Sequence, residues 1–188
     1  MGVILLRHTR PEVAPGLCYG QTDLPLADSF ETELDALWPL IPPIDRILTS
    51  PLVRCQHLAE QIARRLTVSV QTDARLMEMD FGAWEGRSWS TIPRAEIDAW
   101  AADVLHARPH GGETVAEFMT RAHTAVHDYA QTSDRTLLVT HKGVIRAVLS
   151  RALNDPQAQR LKIEFGALVC PLPQRAGRNK TSRPVSLD

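Results

Sequence analysis

Two hydrophobic spacings alternate along the chain. The unbroken apolar run Val3-Ile4-Leu5-Leu6 has the pattern of a strand buried on both faces. Residues 44–49 and Arg135-Thr136-Leu137-Leu138-Val139-Thr140 repeat that pattern, and residues 68–70 predict a shorter strand. Between these runs, apolar residues recur every three or four positions, as on a helix with one buried face. Phe30, Leu34, Leu37 and Trp38 predict a helix over 29–38 that Pro39 stops. Leu58, Ile62 and Leu66 predict a helix over 52–66, Val115, Phe118, Ala122 and Val126 one over 113–129, and a last helix covers 143–153. Residues 163–170 read as a terminal strand or hairpin around Gly166. Alternating strands and helices predict an α/β domain on a mainly parallel sheet.

Composition narrows the class. At 188 residues the chain has the length of one domain. Its 44% hydrophobic and 23% charged content excludes a disordered chain. A net charge of −1 gives no global basic field, so nucleic acid is not an expected partner. The charge is uneven, however. Residues 171–188 carry four basic residues against one acidic, together with Pro171, Pro173 and Pro184, which leaves −4 on residues 1–170. The expected division is therefore a domain over 1–170 and a flexible basic tail over 171–188. Cys18, Cys55 and Cys170 lie far apart with no metal-binding spacing, and read as reduced thiols. No apolar run reaches a membrane span or a signal sequence, and Leu6 stands where a myristoylation site needs Ser or Thr. A cytoplasmic location and no membrane partner are expected.

Ligands of open α/β sheets bind beyond the carboxyl ends of the strands. Arg7 and His8 follow the first strand, Ser50-Pro51 and then Arg54 the second, and His141 the strand over 135–140. Glu78 stands before the loop Met79-Asp80-Phe81-Gly82-Ala83-Trp84-Glu85-Gly86. Such a set suits phosphoryl transfer. Guanidinium forks bind phosphate oxygens and keep their charge. A neutral imidazole is a nucleophile near pH 7. A carboxyl can protonate the leaving alkoxide, and a second imidazole can donate to the phosphoryl oxygens.

Leu6-Arg7-His8, Ser50-Pro51-Leu52-Val53-Arg54, Leu76-Met77-Glu78 running into Phe81-Gly82-Ala83-Trp84-Glu85-Gly86, Pro109-His110-Gly111-Gly112-Glu113 and Val139-Thr140-His141 together resemble the histidine phosphatase (phosphoglycerate mutase-like) superfamily, in its branch of small phosphatases. The resemblance covers residues 3 to about 170. It implies a three-layer α/β/α sandwich and a metal-independent phosphomonoesterase that works through phosphohistidine and needs no cofactor. His8 would be the nucleophile, Arg7, Arg54 and His141 the rest of the phosphate pocket, and Glu78 the acid, ahead of Asp80 and Glu85 by motif position. Gln21 and Thr22 would touch substrate from the loop after the nucleophile. Residues 16–26 look most like the α-ribazole phosphatases, so a small phosphorylated substrate is implied, with α-ribazole 5′-phosphate of cobalamin synthesis as the case in point. The 22 residues between Gly86 and Pro109 leave no room for the insertion of the longer mutases, which makes water the acceptor. A broad-specificity or sugar-phosphate phosphatase or mutase of the same fold, and a weakly catalytic module that binds phospho-ligands, are the alternatives.

The sequence departs from the family pattern at two places. Thr9 stands where glycine is usual and Lys142 where glycine or alanine is common, and both are candidate substrate contacts. Outside the motifs, Phe81 and Trp84 read as loop packing. Glu113 reads either as a helix-start carboxylate or as a pocket residue. His123 and His127, four apart, read as a solvated helix face.

Overall fold

The first apolar run forms strand β1 (Gly2–Arg7) inside a five-stranded sheet, in a computed structural model that describes residues 2–170. The other strands are β2 (Arg46–Thr49), β3 (Ser69–Thr72), β4 (Arg135–Thr140) and β5 (Leu168–Val169), in the spatial order β3-β2-β4-β1-β5. β1 runs parallel to β4, with Gly2 opposite Arg135 and Arg7 opposite Thr140. β2 is parallel to both β4 and β3, and β5 alone is antiparallel, pairing Leu6 with Leu168. The expected tail over 171–188 lies outside the described residues.

The pleat sorts the strand residues between two helical layers. Ile4, Leu6, Ile47, Leu137 and Val139 pack with Phe30 and Leu34 of α1 (Phe30–Leu37) and with Leu58 and Ile62 of α2 (Val53–Leu66). Val3, Leu5, Leu48 and Leu138 pack with Ala125 and Val126 of α4 (Val115–Ala130) and with Ile145, Val148 and Leu149 of α5 (Lys142–Ala152). The result is the three-layer α/β/α sandwich. Burying one such aliphatic side chain stabilises the fold by about 1.5–3 kcal/mol, so two full faces make the sheet a rigid base.

Element ends moved where local hydrogen bonds took over. α1 stops at Leu37, and Trp38 and Pro39 belong to a 3-10 turn, Trp38–Leu40. α4 begins at Val115 rather than 113 because Thr114 caps it: the Thr114 hydroxyl accepts from Glu117 N–H while the Glu117 carboxylate accepts from Thr114 N–H. β2 starts at Arg46 because Asp45 is drawn off to the Arg135 side chain and N–H. The expected terminal strand shrinks to Leu168–Val169. A further helix, α3 (Arg94–Ala102), buries none of its residues fully and packs only Ile97 and Trp100 inward, so its apolar spacing carries little signal.

His123 is not on a solvated face. Its Nε2 lies 2.8 Å from the Ala147 carbonyl, which ties α4 to α5, whereas His127 is exposed. Cys18 and Cys55 are buried free thiols and Cys170 is an exposed one. Among the described residues, no helix is long and apolar enough to cross a membrane.

Candidate active site

Because β1, β2 and β4 are parallel, their carboxyl ends share one edge of the sheet, and the ladder continues past it. His8 N–H donates to the Thr140 carbonyl and Ser50 N–H to the Val139 carbonyl, both at 3.0 Å. This holds the first residues after each strand side by side. The His8 and His141 rings meet edge to face with centroids 5.1 Å apart. His8 Nδ1 lies 2.6 Å from the Thr9 carbonyl, which can only accept, so Nδ1 carries the proton and Nε2 keeps the lone pair. Burial, and then the Arg54 charge, push the His8 imidazole from its ordinary value near 6.5 down to about 3. Burial, with His8 and Arg54 adding to it, also holds His141 well below the ordinary value. His141 Nε2 lies 2.8 Å from the Ser50 hydroxyl and 3.5 Å from the Cys55 thiol, which burial keeps protonated.

Two guanidinium groups flank the imidazoles. Arg7, the last residue of β1, donates to the Ile163 carbonyl, and its guanidinium lies 3.7 Å above the Phe165 ring. Arg54, in the first turn of α2, is fully buried and donates to the carbonyls of Thr22 (2.8 Å) and Gly20 (2.6 Å). Neither guanidinium forms an ion pair with a carboxylate among the described residues. The loop that steers Arg54 is itself fixed from Glu85, whose carboxylate accepts from Gln21 N–H, Phe81 N–H, and the N–H and hydroxyl of Thr22. Burial works to raise the Glu85 carboxyl, but these hydrogen bonds outweigh it and hold the carboxyl below its ordinary value. Glu85 is therefore a loop anchor. The Gln21 amide donates to the Glu78 carbonyl at 3.1 Å.

Glu78 sits at the N-terminus of α5, where one carboxylate oxygen accepts from Gly143 N–H at 3.0 Å. A Cβ on residue 143 would run into that carboxylate, so only glycine allows the approach. The segment carrying Glu78 is clamped from α4. Arg121 donates to the carbonyls of Arg75 (3.0 Å), Met77 (2.7 Å) and Glu78 (2.8 Å), and both oxygens of Glu113 take its remaining hydrogens. Glu113 thus pairs with Arg121 instead of serving the helix start or the pocket.

Arg7, His8, Arg54, Glu78, His141 and Lys142 line one cavity of about 900 Å³. Thr9, Gln21 and Thr22 do not line it. Thr9 is fully buried with an unpartnered hydroxyl, and the Thr22 hydroxyl is taken by Glu85. The far wall is apolar, built from Leu17, Phe81, Trp89, Trp100, Leu105 and Phe118 among others. Phe81 faces the cavity as well as packing, while Trp84 is fully buried and bonds Glu96 at 2.6 Å. Arg121 escaped sequence reading because its partners are mostly carbonyls, which leave no mark in residue type; its one side-chain partner, Glu113, was visible. Among the described residues, no three His, Cys, Asp or Glu side chains converge to hold a metal ion.

Two guanidinium groups without carboxylate partners and a neutral imidazole, joined on the carboxyl edge of a parallel sheet, suit an α/β enzyme that handles phosphate esters. Residues 3–171 match the model of the histidine phosphatase superfamily (branch 1), and the chain belongs to that superfamily. Its enzyme class is that of the phosphoric monoester hydrolases. It is 30% identical to an adenosylcobalamin/alpha-ribazole phosphatase of Salmonella typhimurium, over 88% of this chain and 87% of that one. It is 31% identical to a probable phosphoglycerate mutase of Klebsiella pneumoniae, over 82% of this chain and 75% of that one. The crystal structure of the alpha-ribazole phosphatase from Shigella flexneri superposes with a TM-score of 0.76 at 26% identity, covering 89% and 88% of the two chains.

Proposed function

We propose that the protein hydrolyses phosphomonoesters through a phosphohistidine on His8, and that the alcohol portion of its substrate has a bulky apolar body. The observation that carries the chemistry is the Nδ1 hydrogen bond to the Thr9 carbonyl in a site where burial keeps the ring neutral. Nε2 of His8 attacks phosphorus and the P–O bond to the alcohol breaks. Arg7, Arg54 and His141 hold the phosphoryl oxygens as their charge shifts. Glu78 gives its proton to the departing alkoxide. It then takes a proton from the water that attacks phosphohistidine, releasing phosphate.

The apolar wall supports the substrate reading. Trp89, Trp100, Leu105 and Phe118 would cover an aromatic base or similar group and do little for a small sugar. With the alpha-ribazole phosphatase relatives beside it, α-ribazole 5′-phosphate is the substrate we propose. A panel of α-ribazole 5′-phosphate, fructose 1,6-bisphosphate and 3-phosphoglycerate tests this. The expected order of kcat/KM puts α-ribazole 5′-phosphate first by at least about tenfold. Preference for 3-phosphoglycerate, with phosphate moved and not released, would make the protein a mutase instead.

A further inference from the structure

The cavity holds more positive charge than one phosphate needs. Arg7, Arg54, Lys142, Arg146 and Arg151 line it against only two carboxylates, Glu78 and Asp155. A bound phosphomonoester dianion leaves that balance positive. Two of these charges, on Lys142 and Arg146, lie on one face of α5. Lys142 and Arg146 are four residues apart, so they stand on the same side one turn along the helix, about 6 Å in rise. Arg146 is fixed: its Nε and Nη2 donate to the Leu161 carbonyl at 2.8 and 2.6 Å. That partner is neutral and leaves the Arg146 charge uncompensated. The Lys142 ammonium makes no hydrogen bond or ion pair among the described residues, although the residue is half-buried. It follows directly on His141 and lines the same cavity, within reach of the charges of Arg7 and Glu78.

We propose that Lys142 and Arg146 form a second anion subsite beside the phosphate pocket, fitted to a phosphomonoester whose alcohol carries a further negative group. An ammonium partly withdrawn from water and left unpaired gains more from a ligand anion than a surface lysine does. Burial, with Arg146 and Arg7 nearby, holds the Lys142 amine below its ordinary value, and the Glu78 carboxylate offsets this only in part. The apolar wall takes the body of the alcohol and α5 takes its charge. This inference rests on the phosphatase reading but not on α-ribazole 5′-phosphate, whose neutral nucleoside would leave the subsite unfilled.

Phenyl phosphate and its 3-carboxy and 4-carboxy derivatives share one ring and differ in the second charge. Their dissociation constants, measured by calorimetry on a His8→Asn variant that cannot form phosphohistidine, test the subsite. The same constants read as competitive inhibition of wild-type turnover give a second measurement. At low salt, one carboxy derivative should bind at least about tenfold tighter than phenyl phosphate, and the preference should shrink as salt rises. Lys142→Ala should reduce the preference to within about threefold, and Lys142→Arg should keep most of it. No preference in the wild-type site, or an undiminished one in Lys142→Ala, would overturn the proposal. Wild-type hydrolysis of phenyl phosphate checks the phosphatase reading separately. A charge preference without hydrolysis would sink that reading and leave the subsite standing.

Discussion

The His8 hydrogen bond to the Thr9 carbonyl selects which nitrogen keeps its lone pair, and burial keeps that nitrogen unprotonated. The same burial has a consequence for stability. In the unfolded chain His8 takes up a proton below about pH 6.5, while in the folded chain it does so only near 3. The unfolded state therefore binds more protons through this window, and stability falls as pH falls, by about 1.4 kcal/mol per pH unit for one histidine. Urea unfolding at pH 6.5 and pH 5 should show the wild type losing about 2 kcal/mol more than His8→Asn, which removes the titrating group. Equal losses would mean that His8 titrates normally in the fold. Glu78 invites a different comparison. If it protonates the leaving group, Glu78→Gln should slow a ribose 5′-phosphate ester by about 10²–10⁴-fold. It should slow p-nitrophenyl phosphate far less, since p-nitrophenolate leaves without a proton. Matched losses would point to a distorted pocket and take Glu78 out of the acid role.

At the level of elements, rigid strands deliver Arg7, His8 and His141, while loops deliver Glu78 and steer Arg54. The loops therefore need fastening. Arg121 fastens the Glu78 segment through three carbonyls, and Glu85 fastens residues 20–22. Arg121→Ala should lower kcat by about 10- to 100-fold on substrates that need a proton, with little change in KM, because phosphate is bound elsewhere. A rise in KM with kcat unchanged would contradict this. What the sequence disclosed follows the same division. β1, β4, α2 and α4 were legible because each buries a face whose apolar spacing is written in residue types. α3 was not, since none of its residues is fully buried and only Ile97 and Trp100 pack inward, and β5 was overread because Ile163 is buried without pairing. The motif residues Arg7, His8, Arg54, Glu78 and His141 were legible and do line one cavity. The orientations of Gln21 and Thr22 were hidden, because Glu85 and the Glu78 carbonyl compete for them.

Across the whole molecule, the sheet edge supplies a charged floor and the segments around Phe81, Trp89, Trp100 and Leu105 supply an apolar wall over it. The floor's own guanidinium groups can neutralise a bound phosphate, so excess chelator should leave the rate unchanged. Vanadate should inhibit strongly as a trigonal-bipyramidal mimic of the transition state. Activity lost to chelator and restored by one metal ion would overturn that charge balance. The proposed mechanism requires His8 to carry the phosphoryl group. Rapid quenching of the enzyme with a substrate labelled at phosphorus, followed by peptide mapping, measures this directly. Acid-labile, base-stable label is expected on the peptide that contains His8, and none in His8→Ala. Turnover with no label on that peptide under single-turnover conditions, or more than about a tenth of wild-type activity in His8→Ala, would contradict it.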